Sequence, residues 1–481
     1  MNNFGLVRLF GFAVAFSFAS FQIAAPAASK PVRYTLLSDS QFIKDCLICA
    51  IPTMFFPLRG TFDLIETDVG PQFTTYRIEN VSFRAGFGTN SDYVITGSGT
   101  YRLGGQLAVF QEMVLNVTVN GKPMVLTNED RIASRQFPLI KAFLDETQPE
   151  PANFYRIDLF AAPVREVWFS LQRRAMVRSR MVEPWDILSM DGRVVKDSRL
   201  QSNLGIPVRD REPSGVDALD VVPGGDVWFS LSENDFSDTL GDLHEGDILS
   251  ESGRIVRHNQ DLTRPFSPLL PDVGLDALAV RDNGEILFSV RSNFFSPRLA
   301  TTIKRGDLLS DRGLIVYSNE QLLSAFHPTV QKDYGLDAVH VWPNGEVWFS
   351  TEEGFVDGQL GTIQEGDLLS NLGYVAFRNV DLLAAFAPVD STVDYGLDAL
   401  FIVTDTISPA AQPRLAPVDV NRSSGDITLQ WQGPGRVFQV EKAGVVTGPY
   451  LPLSPIQTES EYLDKGAAKN SSTGFYRLRQ W

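Results

Sequence analysis

The sequence predicts an all-β protein whose middle part is a tandem repeat of about 60 residues, each copy forming four short strands. A Gly-Leu-Asp-Ala-Leu motif recurs four times, and its aspartates are separated by 59, 61 and 61 residues: Asp217, Asp276, Asp337 and Asp398. A Glu-Val-Trp-Phe-Ser motif follows each of the first three copies. The 33 phenylalanines and 38 glycines suit short strands joined by tight turns better than long helices.

Two further motifs keep the same order and spacing. Gly-Asp-Ile/Leu-Leu-Ser and a later Gly-x-Ile/Val motif begin at Gly246 and Gly253, Gly306 and Gly313, and Gly366 and Gly373. A degenerate earlier copy keeps the phase, because Asp158 lies 59 residues before Asp217 and a Glu-Val-Trp-Phe-Ser motif begins at Glu166. Constant order and spacing are not expected by chance, so we count four copies and one extra leading strand at residues 396–403.

Each copy reads as four strands followed by a short helix, and a repeated asparagine, as at Asn319 and Asn379, is expected to be the N-cap. Pro-Gly-Gly and Asx-Gly turns between the first two strands supply the positive φ angles that a hairpin needs, as at Gly224 and Gly345. A four-stranded unit repeated about an axis is typical of a β-propeller blade, which cannot bury both faces unless neighbours stack on it. The extra strand predicts that a ring of about four blades closes through the first copy. An open arc of stacked sheets is the alternative.

The repeats divide the chain into four parts. We predict a signal peptide at residues 1–27, an N-terminal β domain at 32–143, the β-propeller-like repeat domain at 155–404 and a C-terminal β-sandwich at 417–481. Proline-bearing linkers are expected at 144–153 and 405–416. The N-terminal β domain is expected to be a small sandwich or barrel.

The first residues have the features of an export signal. Arg8 provides a positive charge, Leu9–Phe21 is apolar, and Ala25-Pro26-Ala27 offers small residues for cleavage. The sequence therefore predicts an exported protein that is extracellular, periplasmic or at the cell surface, with no transmembrane helix. The net charge of −16 repels phosphate backbones and argues against a nucleic-acid partner.

The two cysteines, Cys46 and Cys49, are spaced C-x-x-C. A local disulfide in an oxidising compartment is the favoured interpretation. A redox pair would need a thioredoxin-like βαβ setting, which the surrounding sequence lacks. A zinc site would need two more ligands, and the four histidines are all distant in sequence.

Two resemblances follow from these motifs. The final residues contain a strand around Trp431, a Thr447-Gly448-Pro449-Tyr450 stretch and a closing strand at 475–478, and together they resemble a fibronectin type III-like module. The repeat resembles β-propeller-like arrays of uncharacterised exported bacterial proteins. Neither resemblance implies an activity or a catalytic residue, although such a sandwich commonly implies spacing or adhesion.

The recurrent aspartates are the candidate metal ligands: Asp158, Asp217, Asp276, Asp337 and Asp398. If their strand is innermost, the carboxylates ring the axis, repel one another and have raised pKa values. Bound Ca²⁺ would relieve that repulsion, and no other cofactor is expected. The structural alternative, that each aspartate accepts hydrogen bonds from nearby backbone, is favoured. The recurrent tryptophans are interpreted as core rather than a sugar-stacking platform.

Two functions remain open. The favoured one is an extracellular binding or scaffold protein, whose ring presents variable loops to a polysaccharide or cell-surface protein, because repeated residues are typical of scaffolds. The alternative is a propeller-type hydrolase or lyase acting on carbohydrate or a lactone, which requires non-repeated acids at one end of the axis. Asp235, Asp238, Glu352 and Glu353 lie in variable loops. No motif in the sequence identifies a catalytic residue.

Overall fold

The structure is a computed structural model that describes residues 29–49, 51–106, 108–128, 131–178, 180–207, 213–270, 272–405, 411–470 and 473–481. The predicted signal peptide, residues 1–27, lies outside these ranges. The described residues form an all-β protein, in which every α-helix has only four or five residues. A search of these residues for a helix long and apolar enough to cross a membrane finds none.

The N-terminal part is an antiparallel sheet that closes on itself. Its strands are β1 Val32–Leu36, β2 Gln41–Asp45, β3 Met54–Val69, β4 Phe73–Ala85, β5 Tyr93–Gly104, β6 Phe110–Val119, β7 Lys122–Asn128, β8 Ile140–Glu146 and β9 Phe154–Phe169. Each of β3 to β8 pairs with the next strand, and β1 and β2 share the position between β9 and β3. The result is a cylinder of eight strand positions.

Alternating side chains fill this cylinder. Along β5 and β6, buried residues alternate with exposed or partly exposed ones, as expected for strands with one face on a core. The interior is rich in aromatic side chains, including Tyr34, Phe42, Phe62, Phe83 and Tyr101. Residues 144–146 belong to β8, so the segment predicted as a linker is partly strand.

Strand β9 connects the cylinder to the repeats. Its first part pairs with β8 and β2, whereas Val164–Phe169 pairs with β32 Leu400–Thr404 and then with β12 Ile187–Ser189. β32, which contains the end of the extra leading strand predicted at residues 396–403, therefore joins the sheet of the first repeat, as expected for a closed ring.

The repeats form four antiparallel sheets of four strands, which we call blades 1 to 4. Blade 1 contains β32, β9, β12 and β13 Arg193–Lys196; blade 2 contains β14 Val216–Val221, β15 Val227–Leu231, β18 Ile248–Ser250 and β19 Arg254–Arg257; blade 3 contains β20 Leu278–Val280, β21 Ile286–Phe288, β24 Leu308–Ser310 and β25 Leu314–Tyr317; blade 4 contains β26 Val339–Val341, β27 Val347–Phe349, β30 Leu368–Ser370 and β31 Tyr374–Phe377.

Each blade adds a small hairpin and a helix to this sheet. The hairpins are β10 Ala175–Val177 with β11 Arg180–Val182, β16 Asp235–Ser237 with β17 Gly241–Leu243, β22 Phe294–Ser296 with β23 Thr301–Ile303, and β28 Phe355–Asp357 with β29 Gly361–Ile363. The helices are α1 Arg199–Ser202, α2 Asn259–Thr263, α3 Asn319–Leu322 and α4 Asn379–Leu383, and 3-10 turns follow α2 and α4 at Arg264–Phe266 and Ala384–Phe386.

The four blades form a closed, propeller-like ring. The innermost strands contact each other in the order β14, β20, β26, β32 and back to β14. Apolar side chains from neighbouring blades share one core; for example, Ala218 and Ile248 of blade 2 cluster with Leu278 and Phe288 of blade 3. Blades of this kind hide their apolar faces only against the next blade, and closure removes the last exposed face.

A repeated polar contact lies inside the blades. The acid that begins the Glu-Val-Trp-Phe-Ser motif accepts a hydrogen bond from the indole N–H two residues later, at 2.7 Å for Trp168, 3.0 Å for Trp228 and 2.8 Å for Trp348. Trp168 and Trp348 are buried, and Trp228 is partly so. These indoles are part of the core, as their apolar neighbours predicted, and do not form a sugar-stacking surface.

The helices connect each blade to the next one. The repeated asparagine was expected to cap the helix, but the residue before it is the N-cap, as Ser318 is for α3. Asn319 instead donates through Nδ2 to Gly335 O at 3.4 Å and accepts from the Tyr334 backbone at 3.3 Å. Its own N–H donates to Asp307 Oδ1 at 3.2 Å. The aspartate of the Gly-Asp-Ile/Leu-Leu-Ser motif, which is Asp307 in this blade, therefore has a structural role.

The C-terminal part contains two small antiparallel sheets. One contains β33 Arg414–Leu415, β34 Asp419–Asn421, β35 Asp426–Gln432 and β38 Glu461–Asp464; the other contains β36 Phe438–Ala443, β37 Leu451–Pro452 and β39 Phe475–Gln480, and α5 Ala467–Asn470 follows β38. Leu429, Trp431, Phe438 and Val440 form the core between them. We refer to this part as the C-terminal module.

Both flanking parts contact the same end of the ring, where the first strand of each blade turns into the second. The C-terminal module reaches the turn of blade 2, where Gly224 N donates to Gly435 O at 2.9 Å. The cylinder reaches the turn of blade 4, where Asn344 Nδ2 donates to Leu36 O at 3.2 Å. We call this end the covered face and the opposite end the open face.

Candidate functional site

A pocket of about 690 Å³ lies on the ring axis at the open face. We call it the axial pocket. All four blades contribute to it, because the motif aspartate of each innermost strand lies at this end. Its lining contains Gln172, Pro184, Trp185, Pro213, Ser214, Gly215, Asp217, Ser232, Glu233, Asp276, Arg291, Asp337, Glu352 and Asp398.

The four aspartates are almost completely buried, with between 4% and 7% of each residue exposed. Burial raises the pKa of Asp217 to about 7, and the charge of Asp337 contributes. Burial likewise raises the pKa of Asp276, Asp337 and Asp398 well above the ordinary aspartate value, and each is raised further by another aspartate of the ring. Four ionised carboxylates in one low-dielectric space are unfavourable, so burial and mutual repulsion both favour the protonated form.

Asp217 is the least satisfied of the four. Among the described residues, no hydrogen-bond donor reaches its Oδ2 atom. Its carboxyl group lies beside that of Asp276, and a hydrogen bond between the two requires that one of them is protonated. Asp337 differs, because Gln172 Nε2 donates to its Oδ2 atom at 2.6 Å.

Asp158 does not join this group. It lies on the part of β9 that belongs to the cylinder, opposite Gln41 and Phe143. Its spacing from Asp217 suggested equivalence, but β32 occupies the innermost position of blade 1 and brings Asp398 there instead. The metal-ligand hypothesis was therefore wrong in including Asp158 in the ring of carboxylates.

A second residue from each blade lines the same pocket, and each belongs to one of the variable loops that were expected to form the recognition surface. Gln172, Ser232, Arg291 and Glu352 each stand two residues after the serine that ends the Trp-Phe-Ser strand motif. They occupy equivalent positions, yet they are an amide, a hydroxyl, a guanidinium and a carboxyl group. The signal that identifies them is a variable residue at fixed spacing next to an invariant motif.

Glu352 has an unusual environment for a glutamate. Burial, followed by the charge of Asp276, raises its pKa to about 8, although an ion pair with Arg305 opposes this shift. The adjacent Glu353 is more exposed and pairs with Lys332 and Arg305, and these hydrogen bonds lower its pKa. Of the four acids noted in variable loops, Glu352 alone lines the axial pocket.

Arg436 of the C-terminal module contacts the innermost strands of two blades at the covered face. Its guanidinium donates to the Asp220 carboxylate and to Val221 O in blade 2, and to Val280 O at 2.7 Å in blade 3. Asp220 follows Asp217 by three residues on the same strand, about 10 Å away.

The described side chains do not form a metal site. In the described parts of the chain, no group of three or more histidine, cysteine, aspartate or glutamate residues is arranged to hold a metal ion. Cys46 and Cys49 form a disulfide in the cylinder, far from the pocket residues in sequence.

Comparisons with known proteins find only distant likenesses. No family matches the sequence, and no curated protein is similar to it. One solved structure that it resembles is the extracellular domain of a proposed one component system from B. thetaiotaomicron, with 7% identity, 91% of this chain and 95% of that chain covered, and a TM-score of 0.21.

Two further likenesses concern extracellular domains of proposed hybrid two component systems from the same organism. One has 7% identity, covers 89% of this chain and 74% of that chain, and has a TM-score of 0.21. The other has 10% identity, covers 85% of both chains, and has a TM-score of 0.18. Scores this low transfer neither fold nor function to this chain.

Proposed function

We propose that this chain is an exported binding protein whose axial pocket takes a ligand at the open face of a four-bladed propeller. The observation that carries the proposal is the position of the variable residues. The scaffold repeats its aspartate in every blade, yet Gln172, Ser232, Arg291 and Glu352 place four different side chains around one cavity. Identical backbone positions with different chemistry are what a specific, asymmetric ligand requires.

The surroundings of the pocket support the same function. The flanking parts both lie on the covered face and leave the open face accessible. Trp185, Pro184 and Pro213 add apolar surface to a wall that otherwise consists mainly of polar groups, a combination suited to sugar rings or to a peptide. The partner that we propose is a polysaccharide or a cell-surface protein, and the fibronectin type III-like module would then act as spacer or attachment.

Binding by the full-length mature chain tests this function. We expect a glycan array or a peptide array to yield a ligand whose binding is lost in Asp337→Asn, because that change alters a pocket wall. Asp158→Asn is the matched control, since it changes the repeat-phased aspartate that lies in the cylinder. Equal binding by wild type and Asp337→Asn would show that the ligand binds elsewhere and would remove the axial pocket from the proposal.

A hydrolase or lyase acting on carbohydrate is the second candidate, and Glu352 favours it. A glutamate whose pKa is raised to about 8 is protonated at neutral pH, and it lies next to Asp276. One protonated and one ionisable carboxyl group are what glycoside hydrolysis uses as acid and base.

Release of reducing ends from polysaccharides distinguishes this candidate. Glu352→Gln should reduce the rate at least about 100-fold, because loss of a general acid commonly has an effect of this size. Glu353→Gln, one residue away and outside the pocket lining, should retain activity. Absence of turnover on every polysaccharide that the protein binds would leave binding as its function.

A further inference from the structure

The axial pocket holds more acid than base. Five carboxyl groups line its inner part, from Asp217, Asp276, Asp337, Asp398 and Glu352, whereas Arg291 is the one basic residue in its lining. Glu233 adds a sixth acid at the wall. Arg291 is also engaged elsewhere, since its Nη1 atom lies 3.3 Å from Glu245 and donates to Ser232 O. Arg291 also faces Asp217, Asp276 and Asp398, but one guanidinium cannot neutralise five carboxyl groups, so the cavity has an excess of acid.

The Oδ2 atom of Asp217 marks a position in the pocket that no hydrogen-bond donor among the described residues reaches. Asp217 is more than nine-tenths buried and lines the cavity, yet no donor among the described residues reaches Oδ2. A buried carboxylate oxygen without a partner loses its hydration and gains nothing in exchange. A ligand that carries N–H donors and a positive charge would satisfy it.

A bare metal ion fits this cavity poorly. The described acids do not converge into a group that could hold one, and a space of about 690 Å³ is large for one ion. An organic cation spans such a space and can reach carboxyl groups on opposite blades. Its ammonium group offers three donors and a compact charge.

We infer that the axial pocket binds a ligand bearing a primary ammonium group, held between the carboxylates of Asp217 and its neighbouring blades. This inference rests on the proposed function, because it assigns a ligand chemistry to the same pocket. Two sources share that chemistry, namely the lysine side chain of a peptide and the free amine of an amino sugar. In both cases, the charge of the amine takes the place of protons on these carboxyl groups.

Binding should release protons, and its affinity should rise with pH. The charged groups that face the site are Asp217, Asp276, Asp337, Asp398, Glu352, Glu233, Glu245, Asp333, Arg291 and Arg305. The pKa of Asp217 is about 7, so its ionised fraction increases about tenfold between pH 6 and pH 8. A lysine amine stays protonated over this range.

Calorimetry on the full-length mature chain tests the inference with four probes: a lysine oligopeptide, a glucosamine oligomer, the N-acetylated form of that oligomer, and CaCl₂. We expect the lysine oligopeptide to bind about tenfold more tightly at pH 8 than at pH 6, or the glucosamine oligomer to bind while its N-acetylated form does not. Asp217→Asn should abolish this binding, and Asp158→Asn should not. Proton release is read by repeating the titration in buffers of different ionisation enthalpy.

The remaining outcomes separate this inference from the proposed function. Equal binding of both sugar oligomers, lost in Asp337→Asn, would keep the pocket as a binding site and overturn the ammonium inference. Binding of CaCl₂ alone that blocks the amine probes would overturn it in favour of a metal site. If every probe fails to bind while circular dichroism shows that all variants are folded, the ammonium inference is overturned. If the ligands found on the arrays bind equally well to Asp337→Asn, the proposed function is overturned too. If Asp217→Asn does not fold, Asp337→Asn replaces it.

Discussion

Arg436 Nη1 donates hydrogen bonds to both carboxylate oxygens of Asp220, at 3.2 and 3.3 Å, and thereby joins the C-terminal module to the ring axis. Asp220 is 6% exposed and also accepts from the Val280 backbone N–H of the next blade at 2.5 Å. Burial raises the pKa of Asp220, whereas Arg436 opposes this shift. One interdomain ion pair therefore neutralises a buried charge between two blades.

Replacement of Arg436 by alanine should destabilise the ring and release the C-terminal module. Removing one partner of a buried ion pair leaves the other charge uncompensated, at a cost of about 3–5 kcal/mol. We expect a lower unfolding midpoint and faster proteolysis near residues 405–416. Arg422→Ala, at an exposed position of the same module, is the control. Identical midpoints for the two variants would contradict the role of Arg436.

The pKa of His340 provides a second test of the contact between Arg436 and the ring. Its pKa is lowered to about 3 by burial and, to a smaller extent, by Arg436. In Arg436→Ala, we expect the pKa of His340 to rise, because the positive charge is removed and water gains access if the module undocks. The NMR chemical shift of the imidazole as a function of pH measures it. A His340 that remains neutral down to pH 4 in the variant would show that burial alone sets its pKa.

Glu346 connects the strands of blade 4. It is fully buried and accepts hydrogen bonds from Trp348 Nε1 at 2.8 Å, Ser370 Oγ at 2.6 Å and Tyr374 Oη at 2.5 Å. Glu346→Ala would leave three buried donors unsatisfied, each worth about 1 kcal/mol or more. We expect a loss of about 3 kcal/mol or more in stability, measured by denaturant unfolding. Glu320→Ala in α3 changes an exposed glutamate and should have little effect.

The sequence predicted the repeat because spacing is visible without coordinates. Register confirms it: Leu219 faces Phe229, and the equivalent pairs are Leu278 with Phe288, Val339 with Phe349, and Leu400 with Phe169. The last pair joins residues 231 positions apart, and the extra copy of the leading strand predicted it. Apolar periodicity and turn residues are local, so they define blades well.

Contacts between parts of the chain were not predictable in the same way. Nothing near Arg436 in sequence indicates that it reaches blades 2 and 3, because that contact depends on how two folded units dock.

The role of the repeated asparagine at the start of the helices was also not predicted. A Cβ on Gly306 would lie 2.4 Å from Asn319 Nδ2, so this asparagine requires a glycine at position 306. The degenerate copy has Trp185 and Ser198 at the same spacing and lacks both residues.

Asn319→Ala should weaken the junction between blades 3 and 4. The substitution removes the Nδ2 donor to Gly335 O and the Oδ1 acceptor for the Tyr334 backbone N–H, both buried. We expect a loss of about 2 kcal/mol, because two hydrogen bonds are lost and two buried backbone groups become unsatisfied. Hydrogen exchange should increase around residues 334–338 more than in blade 2. Uniform exchange throughout the ring would argue against a local junction.

Asp217→Asn should make the protein more stable at pH 8 while it removes ligand binding. The folded-state pKa of about 7 lies above the ordinary value of 3.8. As pH rises between these values, the unfolded chain releases this proton before the folded chain does. Ionisation therefore favours unfolding, and the stability that the protonated Asp217 retains at low pH is lost as pH rises through about 7. A shift of about three pKa units sets an upper limit of roughly 4 kcal/mol.

The neutral asparagine removes this dependence without changing the size of the side chain. Thermal unfolding of wild type and Asp217→Asn should coincide near pH 3, and the variant should unfold at higher temperature by pH 8. Asp158→Asn, outside the pocket, should follow the wild-type curve much more closely. A gain in stability with a loss of binding is expected where a site holds charges that only its ligand compensates. If Asp217→Asn were less stable than wild type at pH 8, Asp217 would be ionised and already compensated in the free protein.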